Sequence, residues 1–438
     1  MERKVKRLMS IDVINQSISS EGRSLRRKGR CLGALFGVGV LVFSMGAVPA
    51  SAATRHINSP AGVAKKSTQS LVAKLPAAVR GLYTSLTEPV IASPYASFAP
   101  PKPPWKLCFE DAYEGNVWRI TVRQQLAHLA SLFKAKHLVS SFSYSVSNDT
   151  PTLENSQLRA FIDKGCSLIL LTAESATGDN TSIAAAYNKG IPVVAFNNYV
   201  TSPYAQVVDQ PWYQWGASQA ERIAKALHGH GTVIMLQGIP GETVAVGEND
   251  GANAVWKKYP GVKVIPAIGD WTPTTTSSAI TQVLSTHPGP INAVWTTGSE
   301  LWYVYTAFKQ AGRPIPIITG SPEGNTLALA HRDRSVASKL WGYGTLPIPI
   351  ADYGFDTGIR ILSGQHPVVS PILFPLSPWS GNNLKGWYSS CMTEKAGEPP
   401  FPVPPTEPLT TAQMNAYFTN GHAVAPYSYA GTLPKVCP

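Results

Sequence analysis

From Trp105 onward, short apolar runs alternate with segments whose apolar residues recur every three or four positions. "KLCFED" (106–111) reads as a strand, and Val122, Leu126, Leu129 and Phe133 then fall on one helical face. "HLVSSFSYS" (137–145), a helix over 152–164, "SLILLT" (167–172), a helix over 180–189 ending at Gly190, "IPVVAF" and "AQVVD" (205–209) continue the alternation. It then restarts. Ala220, Ile223, Ala224 and Leu227 form a helix face closed by Gly229 and Gly231. "TVIMLQ" follows as a strand, then "VKVIPAI" and a helix carrying Ala279, Ile280, Val283 and Leu284. "INAVWT" (291–296), "IPIIT" (315–319), a helix over 323–331, "ASKLWGY", a helix over 351–362 and "PILFPL" complete the second unit. Strand–helix alternation of this kind predicts parallel, doubly wound sheets. Two successive units predict an α/β protein of two Rossmann-like lobes.

The flanks break this pattern. A basic cluster (Arg23, Arg26, Arg27, Lys28, Arg30) precedes an apolar run over 31–48, and Ala50-Ser51-Ala52 follows. That order predicts a cleaved secretory signal peptide over residues 1–52, with Met9 an alternative start; a membrane anchor is disfavoured by the short run and its small-residue flank. Residues 53–104, rich in Ala, Ser and Pro, predict a tether or loosely packed arm, partly helical around 69–82. Residues 392–438 predict an irregular tail.

Charge and cysteines are reread once the leader is set aside. It takes 9 of 37 basic and 3 of 26 acidic residues, leaving 28 basic and 23 acidic, a net +5. No dense basic tract remains, so no nucleic-acid partner is expected. Cys108, Cys166, Cys391 and Cys437 remain, enough for two disulfides with three possible pairings. Doubly wound sheets commonly run in the order 2-1-3, which makes the first and third strands neighbours. Cys108 is in the first strand and Cys166 just precedes the third, so Cys108–Cys166 is the expected pair, with Cys391–Cys437 by elimination.

"LQGIPGETVAVGENDG" (236–251) has the look of a glycine turn between strand and helix, but its glycines match neither G-x-x-x-x-G-K-[ST] nor G-x-G-x-x-G. H-E-x-x-H, C-x-x-C and G-x-S-x-G are also absent from the chain. Glu300 and Glu323 are an acid pair without a glycosidase signature. Binding rather than catalysis is expected, with no cofactor and no metal.

Three stretches carry a resemblance: "IPVVAFNN", "GASQAERIAKALHGHGTVIMLQGIPGETVAVGENDGANAVWKKYPGVKV" and "IGDWTPTTTSSAITQVLSTHPGPINAVWTTGSEL". In order, spacing and turns the chain resembles, over about residues 105–387, the sugar-type periplasmic solute-binding proteins of ABC importers. It is similar to their ribose-binding branch, which shares its fold with LacI-type effector domains. "YEGNVWR" (113–119) looks like the first-helix entry of one subgroup.

The resemblance implies two doubly wound lobes joined by a three-segment hinge, with crossings near 207–211, 342–346 and 373–376. Lobe 1 is expected over 105–208 plus 345–372, and lobe 2 over 209–342 plus 373–391. A small polar ligand, sugar or sugar-like, is expected between lobes that close on it. The implied protein is an exported, periplasmic or extracellular monomer that serves a membrane permease. A sensory module for a chemoreceptor or sensor kinase is the alternative.

By family position, Trp118 and Trp271 fall on opposite walls of the site, Asn116 and Arg119 open the first helix, and Asn197 and Asn198 hold hydroxyls. The chain also departs from the family. Val246, Gly247 and Glu248 stand where an Arg is usual, and Gly298-Ser299-Glu300 replaces "NDE". Ser321 replaces an Asp, and Gly342-Tyr343 a Gln. Those changes put a plain pentose in doubt. Glu242, Glu248 and Glu323 either suit a cationic or amino-bearing ligand, or are solvated carboxylates favoured by helix dipoles.

Overall fold

The computed structural model describes residues 69–84 and 86–425. The expected signal peptide and Cys437, hence the expected Cys391–Cys437 pair, lie outside the described residues.

The first sheet is built from β1 (Trp105–Asp111), β2 (Val139–Val146), β3 (Leu168–Thr172), β4 (Val193–Phe196) and β5 (Ala205–Asp209). Helices α1 (Val117–Ala135), α2 (Pro151–Asp163) and α3 (Asn180–Asn188) connect them. The second sheet begins after α4 (Trp212–Ala226), with β6 (Gly231–Gln237), α5 (Thr243–Trp256), β7 (Val262–Ile268), α6 (Pro273–Thr286), β8 (Ala293–Thr296) and α7 (Leu301–Gln310). It continues through β9 (Ile317–Thr319), α8 (Gly324–Arg332), α9 (Arg334–Ala337) and β10 (Leu340–Gly344). The chain then returns to the first lobe as α10 (Pro347–Leu362) and β11 (Ile372–Leu373), and re-enters the second as β12 (Ser377–Ser380). Among the described residues of the tail there is one short helix, α11 (Thr411–Asn415).

Strand order is β11-β5-β4-β3-β1-β2 in one sheet and β12-β10-β9-β8-β6-β7 in the other. Every pair is parallel except β10 with β12. β1 therefore lies between β2 and β3, the 2-1-3 arrangement, and Cys108 and Cys166 are joined in a disulfide. The apolar runs are central strands: all of β3, β4 and β5 is buried, as sheets covered on both faces require. The chain passes between the sheets after β5, after β10 and after β11, so the carboxyl ends of both sets of strands border the space between the lobes.

One flanking segment differs from expectation. From residue 69 on, the described part of the arm is not loose: Leu75, Val79, Tyr83, Val90 and Tyr95 are buried. Ile91–Ala92 pairs antiparallel with Val369–Ser370, and the Tyr83 hydroxyl donates to Pro371 O at 2.7 Å. Tyr95 donates to Tyr204 O at 2.7 Å and accepts from Val193 N at 2.8 Å. Few anchors in a polar, proline-rich stretch give no periodic signal, yet each buries a large ring. α10 is buried along its whole length, because the tail covers the face that the sheet leaves open.

Candidate functional site

A cavity of about 60 Å³ lies between the lobes. Its first-lobe wall begins where β1 ends. Asp111 Oδ1 accepts from Thr172 Oγ1 at 2.7 Å and from Arg119 Nη1 at 3.1 Å. Asn116 caps α1: its Oδ1 accepts from Arg119 N at 2.9 Å, an N-cap in extended conformation. The cap fixes the first turn, which carries Trp118 and Arg119 into the cavity wall. Trp118 Nε1 donates to Thr345 O at 2.6 Å and so rests on the second crossing.

The second-lobe wall starts at the glycine turn after β6. Glu242 caps α5, its Oε2 accepting from Val244 N at 2.8 Å and Ala245 N at 3.3 Å. Its Oε1 faces the first lobe, where it meets Arg119 Nη2 at 3.4 Å and accepts from Asn198 Nδ2. Gly238 is a contact glycine rather than a phosphate glycine: a Cβ there would overlap the Trp271 indole. Asp270 and Trp271 both have positive φ, 50° and 52°, a sparsely populated conformation that presents the ring to the cavity. Trp271 Nε1 donates to Thr297 Oγ1 at 2.9 Å, and Trp271 O accepts from Asn116 Nδ2 at 3.4 Å across the cleft.

The electrostatics are those of a poorly solvated site. Glu300 lines the cavity at 3% exposure; no hydrogen bond of ordinary geometry reaches either carboxylate oxygen, and looser contacts with Thr296 and the Gly298 backbone offset its burial only in part. Burial pushes its carboxyl up to about 8, and the nearby Glu398 adds to the rise. Burial also raises Glu398 to about 7, against a hydrogen bond with Tyr303. Burial raises Glu242 and Asp111 too, while the Arg119 guanidinium pulls both back toward the charged form. Among the described residues no group of three or more His, Cys, Asp or Glu is arranged to hold a metal ion.

Of the expected site residues, Asn116, Trp118, Arg119, Asn197, Trp271, Ser299 and Glu300 line the cavity. The others do not. Asn198 and Glu242 stand behind the lining and bond to each other. Glu248 is fully buried within α5 because Gly251 lets α5 approach α4 closely; its carboxyl, without partners, is raised well above the usual range by burial. Ser321 accepts from Thr345 N at 2.9 Å and supports the crossing. Glu323 is buried and accepts from Trp302 N and Thr326 Oγ1. Tyr343 is in β10, opposite Pro378 of β12 and near Arg222. Glu242, Glu248 and Glu323 are thus not solvated, contrary to one of the two readings of them.

Lining residues missed in the sequence are Trp212, Val244, Thr272, Thr297 and Gly298, together with Tyr303, Thr345 and Glu398. Trp212 had a signal: it follows "VVDQP", at the first crossing, and its Nε1 donates to Asp209 Oδ1 at 2.6 Å and Asn197 O at 3.1 Å. Glu398 had none, since it comes from the tail.

Comparison with known proteins places these features. Residues 112–344, just over half of the chain, match the family described as periplasmic binding protein domain. A xylitol-binding protein of Mycolicibacterium smegmatis is 28% identical over 186 residues, 41% of this chain and 53% of that protein. The chain thus spans about half the length of that curated relative. An ABC transporter solute-binding protein from Thermobispora bispora has the same fold, with a TM-score of 0.58 at 21% identity, over 62% of this chain and 84% of that one. So has a Bacillus halodurans solute-binding protein with bound myo-inositol, with a TM-score of 0.56 at 16% identity, over 64% and 96%.

Proposed function

The chain belongs to the periplasmic binding protein domain family, and from that premise we propose that it is the exported ligand-binding component of an ABC importer, capturing a small hydroxylated molecule, a sugar or an acyclic polyol, and presenting it to a membrane permease. The observation that carries this reading is the cavity at the carboxyl ends of both sheets. Trp118 and Trp271 contribute flat apolar surface to it, and Asn116, Arg119 and Asn197 contribute hydrogen-bonding groups. Aromatic faces pack on C–H surfaces of a carbohydrate while amide, guanidinium and carboxyl groups pair with its hydroxyls. The xylitol-binding relative supports the polyol class.

Closure is written into the same residues. Arg119 with Glu242, Asn116 with Trp271, and Asn198 with Glu242 all join one lobe to the other. A ligand that bridges the walls adds to these contacts and favours the closed form by its differential affinity for it. No catalytic step is required of any residue. Isothermal titration of the mature chain with xylitol, other pentitols, hexitols, myo-inositol and aldoses tests the reading. Saturable binding by one of them is the expected result; a chain that binds none is not a polyol or sugar receptor.

A further inference from the structure

The tail lies outside the stretch shared with the family, residues 112–344, yet it joins both lobes. Met392 is buried in the second-lobe core, and Glu394 pairs with Arg332 of α8. Farther on, Leu409 N donates to the Tyr353 hydroxyl of α10 at 2.8 Å, and the Tyr417 hydroxyl donates to Leu373 O of β11 at 2.7 Å. Between these anchors Pro404 and Pro408 lie beside Gln210, Gly344 and Ser377, at the three crossings. The tail is a fourth connection between the lobes.

Its course brings one side chain to the cavity. Gly324 N donates to Glu398 O at 2.7 Å, and a Cβ at Gly324 would come within 2.9 Å of that oxygen and 2.8 Å of Pro400 O. The backbone is therefore held tightly against α8. The Glu398 side chain is buried, meets the Tyr303 hydroxyl and lines the same cavity as Trp271 and Glu300. No ion pair among the described residues includes Glu300 or Glu398. Buried acceptors left unpaired are costly, and a donor that reaches them recovers that cost. Both carboxylate oxygens of Glu300, at the cavity wall, lack a hydrogen bond of ordinary geometry.

We propose that Glu398 is a ligand-contacting residue: the tail supplies one wall of the site, and its carboxyl, with that of Glu300, accepts hydrogen bonds from the ligand's hydroxyl or ammonium groups. The proposal rests on the polyol reading and deepens it, because this wall comes from outside the family's shared fold and sets which polyol fits. The two donor types are separated by D-glucitol and D-glucamine, which differ only by an ammonium in place of one terminal hydroxyl.

The experiment is calorimetric titration of the mature chain and of its Glu398→Gln and Glu398→Ala variants with xylitol, D-glucitol and D-glucamine at neutral pH. The expected result is binding by the parent chain and a loss of about tenfold or more in Glu398→Ala, the size of a hydrogen bond to a charged group, with an unchanged melting temperature in the absence of ligand. Glu398→Gln, which keeps the shape of the wall, retains more affinity for a hydroxyl donor than for the ammonium of D-glucamine. Parental affinity in both variants overturns the proposal and leaves the polyol reading standing. Absence of binding by the parent chain to these three probes and to the other pentitols, hexitols, myo-inositol and aldoses overturns the two together.

Discussion

Arg119 Nη2 lies 3.4 Å from Glu242 Oε1, and both side chains are almost wholly removed from solvent. One residue opens α1 of the first lobe and the other caps α5 of the second. Arg119 also holds Asp111 at 3.1 Å, so one guanidinium compensates two buried carboxyls. Removing a member of a buried ion pair strands the remaining charge, at about 3–5 kcal/mol. Arg119→Met is therefore expected to lower the urea midpoint strongly. Glu242→Gln leaves the Asp111 pair intact and one oxygen for the α5 cap, and loses the Oε1 contacts with Arg119 and Asn198 that join the lobes. It should weaken ligand binding by about tenfold or more, the loss of charge-assisted hydrogen bonds, with a smaller change in midpoint. Equal affinity for the parent and Glu242→Gln would remove this pair from the closing mechanism.

Gly238 and Trp271 make a second such relationship. The turn after β6 passes so close to the indole that a methyl group there overlaps it. The ring cannot retreat freely, since its Nε1 is bonded to Thr297 and its backbone is already at positive φ. Gly238→Ala should push Trp271 into the cavity and shift tryptophan fluorescence. A ligand affinity lower by about tenfold or more is expected, with a stability cost in the 1–3 kcal/mol range of overpacking. Parental affinity and spectrum would mean that the turn moves aside instead.

The alternation of apolar runs and helical faces was enough to read the strands from 106 to 344 and the helices between them, because central strands and amphipathic helices have distinct periods. The 2-1-3 order followed from the same alternation, and with it the Cys108–Cys166 pair. The glycine turn was legible as a turn between strand and helix, while its purpose was not: Gly238 gives room to an indole 33 positions later in the chain. Glu248 read as a helix-start carboxylate, yet it is buried in the close contact of α5 with α4, which depends on Gly251 meeting a neighbouring helix. Glu398 was out of reach of any pattern. Its segment is proline-rich, has no period, and enters the site only because the tail recrosses both lobes.

The disulfide is expected to act mainly on the unfolded chain. Cys108 and Cys166 are 58 positions apart and both buried. Closing a loop of that size removes chain entropy equivalent to about 4 kcal/mol, of which native-state effects commonly leave 2–4. The double variant Cys108→Ala/Cys166→Ala should therefore unfold at lower urea, by about 2–4 kcal/mol, and retain ligand affinity, because neither residue lines the cleft. Measuring both quantities on one preparation separates the two effects; a loss of affinity at unchanged stability would contradict this account.

The pH dependence of stability follows from carboxyls buried without a cation. Asp352, fully buried in α10, accepts from Gln125 Nε2 at 2.7 Å, and burial pushes its carboxyl from 3.8 up to about 8. Glu110 and Glu300 are likewise raised by burial, each to about 8. In the unfolded chain these groups return to the ordinary carboxylate range, so between about pH 4 and 8 the folded state holds protons that the unfolded state has released. Their stabilisation is complete below the unfolded pKa and is lost as pH rises through the folded one. Urea midpoints should thus fall from pH 5 to pH 8 and level off above it. Asp352→Asn keeps an acceptor for Gln125 and cannot ionise, so its midpoint should fall less steeply over the same window. Parallel curves for the two proteins would show that Asp352 is already charged in the fold at pH 5, and that its burial is compensated by something other than a proton.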